Sequence, residues 1–330
     1  MTHEALSFSV EETIWPMTSP FVISNYQWTE MSVVTVSLRR GSAIGRGEGA
    51  PLFYKNETAL ALADALRAQA PILERGFTHK DIEDLPVPSG ARNALDCALW
   101  DLTAKENDVS AWRAAGLETL NALPALATIT LDDPNAMAAQ AKSFKDIPIL
   151  KLKLDAHDIE ARTAAVRNAR PDAILVIDAN CAWTIEALKT HAPPLTALGV
   201  QMIEQPLPPE QDDALIGYDC PITLCADESC QTTASLPALI GKYQMINIKL
   251  DKAGGLTPSF ALAKKASSMG FDIMVGNMLG SSLAMAPAFL IGQLSRYSDL
   301  DGPLSLVKDC PHGLKFHNGR VEPPTAALWG

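Results

Sequence analysis

The residues best suited to chemistry in this sequence are six polar side chains that end short apolar runs. They are Lys151, Lys153, Asp178, Glu204, Asp227 and Lys249. Lys151 and Lys153 alternate with leucines, so a strand through them would place both ammonium groups on one face. Taken alone, a K-L-K pattern is more typical of the solvated face of an edge strand. Whether these lysines are catalytic or merely solvated therefore depends on the fold to which the strand belongs.

Asp178, Glu204 and Asp227 end three successive runs, and their carboxylates should converge if those runs are neighbouring strands. Bare carboxylates repel one another, so a convergent cluster needs a cation. All-oxygen ligation with room for water favours magnesium over zinc. Any one of these acids, taken alone, is better explained as a helix N-cap or a surface acid. Three acids in register, with the flanking sequences DAN, EQP and DES, favour a shared metal site over three unrelated positions.

The elements that must position these residues begin at about residue 125, where apolar runs alternate with amphipathic segments. The runs end at Thr130, Lys153, Asp178, Glu204, Asp227, Lys249, Gly276 and near Asp299, in steps of 22 to 27 residues. One strand and one helix need a repeat of this size. Eight such units predict a closed (β/α) barrel rather than an open sheet, which also lacks its G-x-G-x-x-G turn here. Active sites of such barrels lie at the carboxyl ends of the strands.

The first part of the chain reads as α+β. SVVTVSL at 32–38 predicts a strand. A helix is expected from Ala59 to near Pro71 with Asn56 as its cap, and a second over Ala91–Lys105 opened by Ser89. We predict three parts: an α+β capping domain (1–118), a (β/α) barrel catalytic domain (119–302) and a C-terminal segment (303–330) that packs on the capping domain.

Composition limits the partners. A net charge of -11 and a pI near 5.0 argue against nucleic acid. The longest apolar run, 283–294, is too short to span a membrane and contains Pro287 and Gly292. The six cysteines form no C-x-x-C pair and predict free thiols in a reducing, cytoplasmic compartment. The oligomeric state stays open, a homo-oligomer included.

Together, K-L-K at 151–153, DAN at 178, EQP at 204, DES at 227 and NIKLDKAGGLT from Asn247 resemble the enolase superfamily. More narrowly, they resemble its muconate-lactonizing subgroup. The resemblance covers essentially the whole chain, including ARNALDCALWDL in the first domain. It implies Asp178, Glu204 and Asp227 as magnesium ligands and Lys153 and Lys249 as paired acid and base. It also implies Lys151 as a cation that assists Lys153, whereas Lys252 matches no catalytic position.

This resemblance implies removal of a proton beside a carboxylate. Such a proton is weakly acidic because its loss leaves two negative charges on an enediolate, which a divalent cation can stabilise. A lysine acts as base only if its pKa falls toward neutrality. Lysines on strands two and six should lie on opposite faces of the substrate carbon and invert it. A mandelate-racemase-like histidine on strand seven is missing, because Gly276 and Asn277 stand there.

Asp299 and Asp301 in DLDGP resemble the D-x-D pair with which dipeptide epimerases hold the substrate ammonium group. An acidic turn before Gly302 is the equally acceptable structural explanation. The resemblance implies a small-molecule dipeptide as substrate, epimerised at its C-terminal residue. A lyase such as an o-succinylbenzoate synthase or a muconate cycloisomerase-type enzyme is the alternative, and a barrel that only binds is a third.

The segment between Trp15 and Trp28 is expected to form a specificity loop. Ala-Glu epimerases of this family carry an arginine there, but PFVISNYQWTE has no basic residue. Asn25, Tyr26 and Trp28 are the candidates that this segment offers, and Lys55 is the nearest cation in sequence. Because an unpaired buried carboxylate is costly, we predict a preference for a neutral second residue.

Overall fold

The structure, a computed structural model, describes residues 6–24 and 26–330. The chain begins with three antiparallel strands in the order β1-β2-β3. Their bounds are β1 Ser7–Ile23, β2 Tyr26–Arg40 and β3 Ala43–Gly49. The two-residue turn between β2 and β3 contains Gly41 at φ 59°, a conformation that favours glycine in tight hairpins. The predicted strand at 32–38 is therefore the middle of a longer one.

Five helices complete the capping domain: α1 Ala59–Ala68, α2 Ala70–Leu73, α3 His79–Glu83, α4 Ser89–Asn107 and α5 Ala111–Ala114. Helix α4 crosses β3 where the sequence alternates glycine, because a Cβ at Gly47 would lie 2.1 Å from the Ala94 carbonyl oxygen. The expectation that Asn56 caps α1 is wrong. The Thr58 side chain caps it, and Asn56 takes a left-handed conformation two residues earlier.

Eight parallel strands follow, hydrogen-bonded in chain order. After the short strand β4 Leu123–Pro124 they are β5 Leu126–Ile129, β6 Ile149–Lys153, β7 Ile174–Asp178, β8 Val200–Glu204, β9 Thr223–Ala226, β10 Met245–Lys249, β11 Asp272–Gly276 and β12 Tyr297–Ser298. The surrounding helices are α6 Pro134–Ser143, α7 Ile159–Ala169, α8 Ile185–Ala197, α9 Leu236–Leu239, α10 Leu250–Ala253, α11 Leu256–Ser268 and α12 Ser282–Gly292. The predicted (β/α) barrel is confirmed in all eight strands, with ladders between all sequence neighbours from β5 to β12 and, among the described residues, none between β12 and β5.

Strand alternation produces two distinct surfaces. One apolar residue from each strand, such as Met202 and Met245, fills the barrel interior, while Leu150 and Leu152 belong to the core shared with the helices. On β6 the interior positions after Ile149 are Lys151 and Lys153, so both lysines rise toward the barrel mouth. The Thr128 amide donates to Asp301 Oδ2 at 2.6 Å, linking the first barrel strand to the segment after the last.

The C-terminal segment contacts both domains. Two short strands, β13 Phe316–His317 and β14 Arg320–Val321, pair with each other, and β14 also pairs with β4. The Trp329 indole then donates to the Cys97 carbonyl oxygen, and the Gly330 amide donates to Asp101 on α4. The three-part division at residues 118 and 302 stays a prediction. In the described part of the chain, no helix has the length and apolar character to cross a membrane.

A buried carboxylate joins the capping domain to the barrel. Asp251, at the start of α10, accepts hydrogen bonds at Oδ1 from the Ala50 amide at 2.8 Å and from Asn93 Nδ2 at 2.7 Å. Burial raises the pKa of Asp251 to about 6, against the lowering effect of these donors.

Replacing Asp251 with Asn should therefore change how stability depends on pH. The folded-state pKa is raised, so the wild-type protein loses stability as the pH rises from about 4 to about 6. Asn retains an acceptor for both donors and does not ionise. The variant should gain up to about 3 kcal/mol relative to wild type between pH 4 and pH 8. Urea unfolding at both pH values measures this change, and an offset that is the same at both would contradict it.

Candidate active site

Three carboxylates converge at the carboxyl ends of β7, β8 and the segment after β9. One oxygen from each of Asp178, Glu204 and Asp227 lies within 4.8 Å of the others, and all three residues are buried. Register explains the first pair, because Asp178 and Glu204 are directly opposite each other in the ladder. Glu204 Oε2 accepts no hydrogen bond, although Lys151 Nζ lies 2.9 Å away. An oxygen-only donor set with an unsatisfied acceptor fits a magnesium ion.

Lys151 lies inside this carboxylate cluster. Its Nζ is 2.8 Å from Asp299 Oδ2, 2.9 Å from Glu204 Oε2 and 3.1 Å from Asp178 Oδ2. Burial lowers the pKa of Lys151, but Asp299, Glu204 and Asp178 outweigh burial and raise it well above its usual range. Lys151 therefore carries a fixed positive charge beside the cluster.

Lys153 and Lys249 face the same pocket from strands four apart in the barrel. Lys153 Nζ lies 2.7 Å from Asp178 Oδ2, and Lys249 Nζ lies 2.7 Å from Asp227 Oδ2. Burial lowers the pKa of Lys249, but the charges of Asp227 and Glu204 raise it by more, so the net shift is upward. A cation that engaged these carboxylates would weaken that stabilisation, which is the direction a lysine base needs.

Neighbouring side chains hold the carboxylates in place. Asn247 Nδ2 donates to Glu204 Oε1 at 2.7 Å, and a Cβ at Gly276 would meet that amide at 2.6 Å. Glycine on strand seven therefore makes room for Asn247. Gln205 Oε1 accepts from the Asp227 amide, which orients the DES segment. Lys252 Nζ donates to Asp227 Oδ1 at 2.6 Å from outside the pocket lining, so it positions this carboxylate.

Asp299 and Asp301 both line the pocket, but each is partly engaged. Asp299 Oδ2 pairs with Lys151, and Asp301 Oδ2 accepts from the Thr128 amide. Burial and the charge of Asp299 raise the pKa of Asp301 to about 7. Asp299 Oδ1 accepts only a long hydrogen bond from Asn277 Nδ2, at 3.4 Å. A nearby cation, such as a substrate ammonium group, would favour ionisation of the pair.

The wall opposite the lysines is apolar and comes largely from the capping domain. Its members are Phe21, Ile23, Trp28, Met31, Phe53, Tyr54, Met278 and Leu279. The expected loop between Trp15 and Trp28 is in fact the paired end of β1 and β2, and the Ser24 hydroxyl donates to the Ala179 carbonyl oxygen at 3.3 Å. This hairpin reaches the barrel mouth because β1 and β2 extend beyond the part of the sheet that pairs with β3.

Of the residues predicted to determine specificity, some line the pocket and others lie outside its lining. Trp28 lines the pocket, and Tyr26 stacks on Trp28 at 5.5 Å but is 41% exposed and lies outside the lining. Asn25 lies outside the described residues. Lys55 also lies outside the lining, and its Nζ is held 3.1 Å from Gln231 Oε1. Lys153 and Lys249, together with Lys151, are the basic side chains that line the pocket in the described part of the chain.

Three pocket residues lie in motifs that the sequence singled out, but they were assigned no role there. Asn180 of DAN accepts from Lys153 Nζ at 3.2 Å, and Asn277 after strand seven donates to the Asp299 carbonyl oxygen. Glu228 of DES has a buried Oε2 without a hydrogen-bond partner, and burial together with Asp227 raises its pKa to about 8. Their positions next to strand ends were the available signal.

Comparison with known families agrees with this geometry. Residues 5–116 match the family described as mandelate racemase / muconate lactonizing enzyme, N-terminal domain, and residues 136–327 match the family described as enolase C-terminal domain-like. Fold and site together define a barrel protein of the enolase superfamily. The chain belongs to the mandelate racemase and muconate lactonizing enzyme family, as the sequence resemblance predicted.

Two named relatives cover most of the chain. N-acetyl-D-glutamate racemase of Pseudoalteromonas sp is 46% identical over 79% of this chain and 84% of that protein. L-Ala-D/L-Glu epimerase of Escherichia coli (strain K12) is 40% identical over 94% of this chain and 98% of that protein. Both names are those of isomerases acting on amino acid derivatives, so the predicted enzyme class is confirmed.

Two solved structures extend the comparison. An enolase family member from Agrobacterium tumefaciens, with bound sodium and L-Ala-L-Glu, has a TM-score of 0.94 and 39% identity, over 99% of each chain. A dipeptide epimerase from Cytophaga hutchinsonii, complexed with Mg and D-Ala-L-Val, has a TM-score of 0.91 and 25% identity, over 100% of this chain and 95% of that one. The metal in the second structure agrees with the predicted magnesium cofactor.

Proposed function

We propose that this chain is a dipeptide epimerase that inverts the α-carbon of the C-terminal residue of its substrate. The observation that carries the proposal is the placement of Lys153 and Lys249. They face one pocket from strands four apart, with the cluster of Asp178, Glu204 and Asp227 between them. A carbon held over this cluster has one lysine on each side.

The lysines exchange roles between the two directions. One Nζ, as the free amine, accepts the α-proton from one epimer, while the other, as an ammonium group, returns a proton to the opposite face. A magnesium ion held by the three carboxylates supplies positive charge that offsets the charge developing on the substrate carboxylate. Lys151 stays protonated throughout and orients Asp299 and the cluster.

The carboxylates of Asp299 and Asp301 favour a dipeptide substrate, which has a free ammonium group, over the dianionic substrates of the lyases. Both residues line the pocket, where a free ammonium group would stabilise the ionised form of both carboxylates. A dianionic substrate without an ammonium group would meet two negative charges instead. This contrast disfavours the o-succinylbenzoate synthase and muconate cycloisomerase alternatives.

The charge inventory of the site points the same way. Six carboxylates and four lysines lie in or around the pocket: Asp178, Glu204, Asp227, Glu228, Asp299 and Asp301, with Lys151, Lys153, Lys249 and Lys252. With all six carboxylates ionised and one lysine present as the free-amine base, a divalent cation would offset two of the three excess negative charges. A dipeptide with a neutral side chain is a zwitterion and leaves that balance unchanged.

The test of the proposed function is isotope exchange. In deuterated water with magnesium, dipeptides should gain one deuterium at the α-carbon of the C-terminal residue and form the second epimer, as read by mass spectrometry and chiral chromatography. N-acetylated amino acids form the comparison series, because one relative is named for such a substrate. Racemisation of N-acetyl-glutamate without turnover of any dipeptide would overturn the proposal.

Specificity gives a further prediction. Dipeptides ending in Leu, Phe or Gln should exceed Ala-Glu in kcat/KM by about 10- to 100-fold, because a buried carboxylate without a partner costs about 1.4 to 2.7 kcal/mol or more. The lining supports this preference through its apolar wall and through the position of Lys55 outside it. The names of both relatives favour glutamate, so the comparison is decisive. If Ala-Glu is preferred and Lys55→Ala removes that preference, Lys55 takes the role of the missing arginine.

A cytoplasmic location is a prediction from the sequence, which leaves the oligomeric state open. Gel filtration with light scattering would determine the oligomeric state.

A further inference from the structure

Glu48 is a buried carboxylate that the reaction does not use. It lies on β3 with 1% of its surface exposed, outside the pocket lining. Its Oε1 accepts from the Ser281 amide at 2.7 Å, and its Oε2 accepts from the Ser281 hydroxyl at 2.7 Å and from Trp15 Nε1 at 3.1 Å. Three donors from two distant segments thus meet on one side chain.

The first of these segments is the loop that forms one wall of the pocket. Ser281 caps α12, and the residues just before it, Met278 and Leu279, line the pocket. Gly280 approaches Glu48 so closely that an added Cβ would lie 2.7 Å from Oε1. The loop is tied at its other end by Asn277, which accepts from the Leu279 amide and donates to the Asp299 carbonyl oxygen.

The second segment is the hairpin that covers the barrel mouth. Trp15 lies on β1, whose far end carries Phe21 and Ile23 into the pocket wall. Trp15 also packs in the same apolar cluster as Met278. The two walls that would enclose the substrate's second side chain therefore share one polar anchor.

We propose that Glu48 is a positioning residue that fixes the hairpin and the 277–281 loop relative to each other, and so determines how tightly the site binds the second residue of its substrate. The inference deepens the proposed function and rests on it for the identity of the substrate. Glu48 contacts neither the carboxylate cluster nor the lysines. Its removal should weaken substrate binding rather than slow the proton transfers.

Burial raises the pKa of Glu48 to about 7, against the lowering effects of the Ser281 and Trp15 donors and with a raising contribution from Asp251. The experiments therefore belong at pH 8, where the carboxylate is ionised. In Glu48→Gln the amide nitrogen cannot accept a hydrogen bond, so at least one donor loses its acceptor. Trp15→Phe removes one donor and leaves the carboxylate in place.

With the best dipeptide from the exchange screen, Glu48→Gln should raise KM about tenfold and change kcat less than about twofold. Trp15→Phe should raise KM in the same way by a smaller factor. The double variant should raise KM by less than the product of the two single effects, because both changes act on the same hydrogen-bonded group. Glu12→Gln, an exposed position on β1, is the matched control and should leave both constants unchanged.

Hydrogen-deuterium exchange separates this inference from the proposed function, because it needs no substrate. In Glu48→Gln the amides of 277–283 and of the hairpin should exchange faster, while those of the barrel strands should not. Unchanged exchange in both segments overturns the inference, as does a fall in kcat equal to the fall in kcat/KM. Absence of any epimerase activity with altered exchange overturns the proposed function and leaves the positioning role intact.

Discussion

Replacing Lys153 or Lys249 with Ala should lower the epimerisation rate by at least about 10³-fold while leaving part of the isotope exchange intact. Epimerisation needs a base on one face and an acid on the other, so either loss blocks it. The remaining lysine can still remove and return a proton on its own face. Each variant should therefore incorporate deuterium into one epimer only, and the two variants should be complementary.

Lys265→Ala is the matched control, because this lysine lies exposed on α11 far from the pocket lining. Its epimerisation rate should equal that of the wild type. Epimerisation by Lys249→Ala at the parent rate would refute the two-base assignment, and exchange of both epimers by one variant would indicate a single base.

Lys252 would be a poor control, although its sequence position indicated no catalytic role. Its buried Nζ contacts Asp227 Oδ1 and the Asn247 carbonyl oxygen. Removing it would leave Asp227 with one fewer cation in a buried setting, which is costly. We therefore expect Lys252→Ala to weaken metal binding.

The barrel could be predicted because its information is local and periodic. Seven of the eight strands are runs of four or five mostly apolar residues, and the repeat of 22 to 27 residues fixes the number of units. Alternation along β6 then places Lys151 and Lys153 on the inner face, since Leu150 and Leu152 must pack against helices. The convergence of Asp178 and Glu204 follows from the same register.

What could not be predicted depends on contacts between distant segments. Glu48 stands in G-R-G-E-G, where nothing distinguishes it from an exposed glutamate, and its partners lie 33 and 233 residues away. The segment before Trp28 was expected to be a loop because its Pro and Ser residues are weak strand formers, yet pairing with β2 overrides that preference. Lys55 seemed available because sequence proximity does not reveal its contact with Gln231.

The metal prediction has an expected effect as large as that of the lysines. Protein stripped with a chelator should lose epimerase activity, and magnesium should restore it, because three buried carboxylates within 4.8 Å are the oxygen ligands that such an ion prefers. Magnesium at 100-fold over its Kd should also stabilise the folded protein by about 2.7 kcal/mol, which a thermal melt detects without any substrate.

Glu204→Gln should abolish the stabilisation by magnesium without lowering the stability of the metal-free protein. Without metal, the variant should melt at least as high as the wild type, because it removes one of several buried like charges around Lys151. With magnesium, only the wild type should gain stability, since the amide is a weaker ligand for a hard cation. Asp219→Asn, an exposed acid outside the cluster, should behave as wild type in both melts. Full activity after exhaustive chelation, or an equal magnesium shift in Glu204→Gln, would remove this cluster as the metal site.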